Sequence, residues 1–96
     1  MNKEQRKHYG RVADLGCSLC RTLGFDGSPC EIHHIRRAGR RDSAPVIGLC
    51  REHHRGDTGI HGMGRKAFER KYALTEEDLL QQTEELLNVR PQQKQE

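Results

Sequence analysis

The pattern of apolar and polar positions predicts a helix followed by a two-stranded hairpin. Residues 3–15 carry their apolar side chains at the spacing of one helical face, and Gly16 follows as a natural stop. Two short apolar stretches, 32–35 and 46–49, flank a polar connection that contains Gly and Pro. Such a pattern is typical of two short strands joined by a loop.

The remainder of the chain predicts helices. Residues 51–64 hold four glycines and three histidines, too much glycine for one continuous helix, so we expect only a short helix there. We expect two further helices over residues 65–73 and 75–90. Thr75 with Asp78 resembles a capping box at the start of the second one. We therefore expect a small α+β domain over residues 1–90 and a disordered tail over 91–96.

The composition indicates that this domain needs a disulfide or a bound metal ion to stabilise it. The chain has 96 residues, of which 32% are hydrophobic and 4% aromatic, so a purely apolar core would be thin. No apolar run is long enough to span a membrane, and residues 1–16 contain no apolar signal segment. We expect a cytoplasmic protein without a membrane partner, whose four cysteines stay reduced and bind metal rather than form disulfides.

Positive charge is concentrated in the middle of the chain. Residues 33–71 carry ten Lys and Arg against four Asp and Glu, and they hold five of the six histidines. This combination favours a polyanionic partner, most simply nucleic acid, although a solvated basic surface explains charge alone equally well. The candidate phosphate contacts are Arg36, Arg37, Arg40, Arg41, Arg65 and Lys66.

Two pairs of potential zinc ligands frame the hairpin. Cys17 and Cys20 form C-x-x-C after the first helix, and Cys50 and His53 form C-x-x-H after the second strand. Two such knuckles complete a tetrahedral zinc site. The alternatives are a rival site in which Cys30 and His33 join Cys17 and Cys20, and a set of buried free cysteines without metal.

A histidine pair in the first strand suggests catalysis. His33 and His34 stand beside the basic loop, and His54 directly follows the second knuckle. One imidazole could remove a proton from water while another holds a metal ion that neutralises a phosphate. Adjacent residues of a regular strand point to opposite faces, so the strand must bend or the metal must sit at its edge. The alternative is a histidine pair that is exposed or buried without a catalytic role.

The order of these motifs resembles the HNH nucleases with the ββα-metal, or His-Me finger, fold. The stretches CEIHHIRR, GLCREHHRG and GIHGMGRKAFERKY are more specifically similar to the phage Ref family of recombination-enhancement, RecA-dependent nucleases. The resemblance covers residues 10–88. It implies a small domain that is stabilised by zinc and has flanking helices. It also implies a DNA endonuclease that hydrolyses phosphodiester bonds with Mg²⁺ or Mn²⁺. It also implies a RecA filament as partner and a role in recombination.

The same resemblance assigns roles to individual residues. His34 matches the general base, and His33 and His54 match ligands of the catalytic ion. His61 either completes that ion site from a glycine-rich loop, packs under the last helices or contacts phosphate. The residues that match the structural zinc ligands are Cys17, Cys20, Cys50 and His53.

The loop before the second strand departs from the HNH pattern. HNH proteins carry an Asn there that helps to orient the base, whereas this chain reads RAGRRDSAP. Asp42, Ser43 or a backbone carbonyl would have to replace it.

The competing function is a non-catalytic zinc module that binds nucleic acid or a recombination protein. RNA also stays open as a nuclease substrate, because we identify no element that reads the 2′-hydroxyl.

Overall fold

A computed structural model describes residues 2–36 and 44–89, and within these ranges helices surround a small sheet. The two strands form one antiparallel pair, in which Glu31 lies opposite Leu49 and His34 lies opposite Val46. No helix in the described ranges is both long and apolar enough to cross a bilayer. In chain order, the elements are α1 Lys3–Leu15, α2 Ser18–Thr22, β1 Glu31–His34, β2 Val46–Leu49, α3 Arg51–Arg55, α4 Ile60–Met63, α5 Arg65–Tyr72 and α6 Glu76–Val89.

Most of the predicted elements are confirmed, but the first strand and the short helices α2 and α4 differ from the prediction. The first strand begins and ends one residue earlier than the apolar stretch predicts, because pairing with β2 ends at His34 and Ile35 only donates its N–H to the Pro45 carbonyl at 2.8 Å. The short helix α2 is absent from the sequence prediction. It starts after Cys17, whose Sγ accepts a hydrogen bond from the Cys20 N–H at 3.3 Å. The predicted tail at 91–96 lies outside the described residues.

Glycines let α4 lie directly against α3. The predicted break in helix is confirmed, since α3 ends at Arg55 and α4 begins at Ile60. A Cβ on Gly59 would lie 2.4 Å from the Glu52 carbonyl oxygen, and one on Gly62 would lie 1.9 Å from the Gly56 carbonyl oxygen. Any side chain at these positions would push the two helices apart, so glycine sets the distance between them.

The core forms around β2, whose four residues are all buried. Helices α1, α2, α3 and α6 contact this strand, and the Ser18 hydroxyl donates to the Gly48 carbonyl at 2.8 Å. At the start of α6, Thr75 and Asp78 exchange hydrogen bonds of 2.8 and 3.1 Å, which confirms the predicted capping box. The buried cluster contains Cys17, Leu19, Ile35, Ile47, Leu49, Ile60, Phe68 and Leu79.

Two candidate metal centres

Three cysteines and one histidine come together where α2 and α3 begin. Cys17 precedes α2 and Cys20 lies in that helix, while Cys50 precedes α3 and His53 lies within it. One ligand atom from each of the four side chains lies within 4.8 Å of the others. The four residues that the sequence groups into one metal site are therefore neighbours in the fold, and we call them the cysteine cluster.

The dimensions of the cysteine cluster match a tetrahedral zinc site. The Sγ atoms of Cys20 and Cys50 are 3.8 Å apart, and His53 Nδ1 lies 3.9, 3.5 and 3.3 Å from the Sγ atoms of Cys17, Cys20 and Cys50. Usual zinc–ligand bond lengths in a tetrahedron separate two sulfurs by about 3.8 Å, and a sulfur from a nitrogen by about 3.6 Å. All four cysteines of the chain are free thiols. The cluster could hold a metal ion such as zinc.

Cys30 takes no part in this cluster. Its Sγ lies 3.6 Å from the Ala13 carbonyl oxygen, and it packs so closely on Gly48 that a Cβ there would lie 2.6 Å from the sulfur. Burial raises the pKa of the Cys30 thiol. His33, the proposed partner of Cys30 in the rival zinc site, belongs to a different cluster. The structure therefore does not bring the rival set together.

Three histidines from three elements form a second cluster. His33 lies on β1, His54 on α3 and His61 on α4. The ring centroids are 5.2 Å apart for His33 and His54, 5.1 Å for His33 and His61, and 4.8 Å for His54 and His61. Ligand atoms of all three lie within 4.8 Å of one another, so they too could hold a metal ion. Of the three positions that the sequence left open for His61, the structure shows the one beside His33 and His54.

One nitrogen of His33 is deeply buried. The ring is 4% exposed, and its Nε2 lies 2.6 Å from Glu76 Oε2. The other nitrogen, Nδ1, has no hydrogen-bond partner among residues 2–36 and 44–89. A buried polar atom left in this state costs about 1–3 kcal/mol, a penalty that a bound cation would remove. With the proton on Nε2, the Nδ1 lone pair is free, as in histidines that bind metal with a carboxylate behind them.

Glu31 contacts His54 in a similar way. Glu31 Oε1 lies 2.8 Å from His54 Nδ1, and Glu31 also accepts hydrogen bonds from Arg55 at 3.0 and 2.5 Å. The bonds from Arg55, and then the contact with His54, lower the pKa of Glu31 to about 2, so the carboxylate is charged at neutral pH. Glu31 and His33 are alternate residues of β1 and therefore share one face of the strand.

Glu31 and Glu76 are absent from the site residues predicted from the sequence. The spacing of Glu31 and His33 carries a signal, because alternate residues of a strand face the same side. Glu76 lies 43 residues from His33 along the chain, and no local pattern connects the two. Only the packing of α6 against the sheet brings that carboxylate to the histidine cluster.

His34, the predicted base, lies beside the histidine cluster. His33 and His34 line a depression of about 350 Å³ together with Arg36, His61 and Arg65. Both histidines line one depression although they are adjacent residues of β1, and His34 is the last residue of that strand. The Tyr9 hydroxyl lies 3.4 Å from His34 Nε2, with the two rings edge to face. Burial, and then the charges of Arg36, His33 and His54, lower the pKa of His34, which favours its neutral form.

A family comparison agrees with this arrangement. The profile of the family described as recombination enhancement, RecA-dependent nuclease matches residues 2–88. The chain belongs to this family. No curated protein and no solved structure matches the chain. The family is named as a nuclease that depends on RecA and acts in recombination, which implies a DNA substrate and RecA as partner.

In this member of the RecA-dependent nuclease family, three of the predicted phosphate contacts lie at or beside the depression. Arg36 and Arg65 line it, and Lys66 follows Arg65 as an exposed residue of α5. Arg65 also lies 3.4 Å from Glu69 across one turn of that helix. The other predicted phosphate contacts, Arg37, Arg40 and Arg41, lie outside the described residues, as do Asp42 and Ser43.

Proposed function

We propose that the protein is an HNH-type DNA endonuclease of the ββα-metal class that hydrolyses phosphodiester bonds with one divalent ion. The observation that carries the proposal is the histidine cluster. It contains a buried nitrogen of His33 that has no partner in the described part of the chain, and it adjoins His34, whose pKa is lowered. His33 and His34 lie on β1 and His54 lies on α3, and the chain order of strand, strand and helix is the one that this class of nuclease uses.

Each group near the depression has a chemical task in this proposal. His33, His54 and His61 hold the divalent ion, Mg²⁺ or Mn²⁺, which would neutralise the phosphate and the leaving oxygen. His34 removes a proton from the attacking water, a task for which a neutral imidazole is suited near pH 7. Arg36 and Arg65 lie where they could contact the phosphates of the DNA.

The cysteine cluster has a structural task. A zinc ion bound there would join the start of α2 to the start of α3. His53 of this cluster directly precedes His54 of the histidine cluster, so the zinc site would also fix the position of an ion ligand. We also propose a cytoplasmic location, because zinc-binding thiols must stay reduced.

Cleavage assays with a matched pair of variants test this function. Supercoiled, single-stranded and RecA-coated DNA would be incubated with the protein, with and without Mg²⁺ or Mn²⁺. We expect cleavage only with a divalent ion, a marked loss in His54→Ala with partial recovery at high Mn²⁺, and no loss in His8→Ala, which changes an exposed histidine of α1.

The outcome also decides between nuclease and binding module. Absence of cleavage in every DNA form, with either ion and with RecA present, would contradict the proposal. DNA or RecA binding without cleavage would then favour the non-catalytic zinc module. Cleavage of RNA in preference to every form of DNA would contradict the assignment of substrate.

A further inference from the structure

Helix α6 delivers a buried carboxylate to the histidine cluster. Glu76 is the first residue of this helix, it is only 9% exposed, and its Oε2 lies 2.6 Å from His33 Nε2. Its neighbours Glu77 and Asp78 are exposed. Burying a carboxylate is costly unless a hydrogen-bonded or charged partner compensates it. The described structure supplies His33 as that partner.

The side chain of Glu76 is not needed to cap its own helix. The reciprocal hydrogen bonds of Thr75 and Asp78 already satisfy the first turn of α6. The backbone N–H of Glu76 has its own acceptor, Glu69 Oε2, at 3.0 Å. The carboxylate is therefore available to His33.

We propose that Glu76 is a positioning residue for ion binding by His33. By accepting a hydrogen bond from Nε2, it keeps the proton on that nitrogen. The buried Nδ1, which has no partner among the described residues, is left as the ligand atom. His54, whose Nδ1 contacts Glu31, would bind through Nε2 instead. The inference rests on the proposed function, since it assumes that the histidine cluster holds the ion.

Binding of Mn²⁺ to the zinc-loaded protein without DNA measures this role directly. Carboxylates behind metal-binding histidines typically change metal affinity about 10–100-fold. We expect Glu76→Gln, which keeps the shape and one acceptor oxygen, to weaken Mn²⁺ binding about tenfold, and Glu76→Ala to weaken it further. The control Glu84→Gln makes the same charge change at an exposed position of α6 and should bind as the wild type does.

Nitrogen NMR of the His33 ring adds a readout that a merely structural role would not move. In the wild-type protein without Mn²⁺, we expect the neutral ring to carry its proton on Nε2, and in Glu76→Ala we expect a mixture of the two tautomers. The wild-type measurement needs no variant to fold. A wild-type ring protonated on Nδ1 would overturn the inference.

The outcomes separate this inference from the proposed function. If His54→Ala and the wild type bind Mn²⁺ equally, the histidine cluster is not the ion site, and both proposals fail. If the wild type binds Mn²⁺ more tightly than His54→Ala, but Glu76→Gln and Glu76→Ala match the wild type, only the positioning role of Glu76 is refuted. Circular dichroism and zinc content of each variant show whether the fold is retained.

Discussion

Replacing one ligand of the cysteine cluster should lower the stability of the fold substantially. The change is Cys50→Ser, because Cys50 joins the end of β2 to the start of α3 and its Sγ lies 3.3 Å from His53 Nδ1. The matched control is Cys30→Ser, which makes the same substitution at a half-buried thiol outside the cluster. The two variants separate loss of a metal ligand from loss of a buried sulfur.

The expected magnitude follows from the four-ligand geometry. Structural zinc contributes about 10–16 kcal/mol to small domains, or about 2.5–4 kcal/mol for each ligand if the four share it equally. For a chain of this length, each kcal/mol shifts the melting temperature by about 4–8 °C. Cys50→Ser should therefore melt about 10–30 °C below the wild type and hold zinc less tightly. Cys30→Ser should keep its zinc and melt within about 5 °C of the wild type.

Thermal unfolding followed by circular dichroism, with elemental analysis of each purified variant, tests this reasoning. Removing zinc from the wild type with a chelator should unfold it, since the total stability of small domains is about 5–15 kcal/mol. A wild-type protein that is folded, stable and free of zinc would refute the argument. Equal loss of zinc in Cys30→Ser and Cys50→Ser would refute the choice of ligands.

Two further predictions concern the depression and the helices around it. A general base works only when it is neutral. Burial, and then the charge of Arg36, lower the pKa of His34 from 6.5, so cleavage should be lost only as pH falls below 6.5. Arg36→Ala should move this acidic limb of the pH–rate profile to higher pH, and an unmoved limb would contradict the electrostatic argument. Gly62→Ala places a Cβ 1.9 Å from the Gly56 carbonyl oxygen, so it should displace α4 with His61 and weaken Mn²⁺ binding while zinc is retained. Unchanged Mn²⁺ affinity would contradict the argument that the Gly62–Gly56 contact positions His61 as a ligand.

Local patterns predicted those parts of the molecule whose partners lie close together in sequence. The C-x-x-C and C-x-x-H pairs each place two ligands on one turn, and the hairpin between them leaves the two turns as neighbours. The capping box of Thr75 and Asp78 is equally local. Physical rules that act over three or four residues are sufficient for such features.

The position of the first strand and the short helix α2 required information from outside the local pattern. Ile35 continues the apolar stretch, but backbone pairing with β2 determines where β1 ends. Helix α2 has only five residues and begins with a cysteine as its N-terminal cap, so it lacks the periodicity by which longer helices are predicted.

The carboxylates of the histidine cluster show the limit of sequence reasoning most clearly. Glu76 reaches His33 only because α6 packs against β2, and that packing depends on the whole core. The place of His61 was similarly open, because the glycines around it allow many backbone paths. In the fold, the close contact of Gly59 and Gly62 with α3 selects the path that brings His61 to His33.

The proposed function depends above all on His34 as the general base of a metal-dependent nuclease. The most direct test is the single-turnover rate of DNA cleavage by His34→Ala compared with the wild type and with His8→Ala, under the ion and RecA conditions in which the wild type cleaves. A base acts only in the transition state, so DNA affinity, zinc content and folding should be unchanged while the rate falls about 10²–10⁴-fold. A His34→Ala variant that cleaves as fast as the wild type would contradict the account.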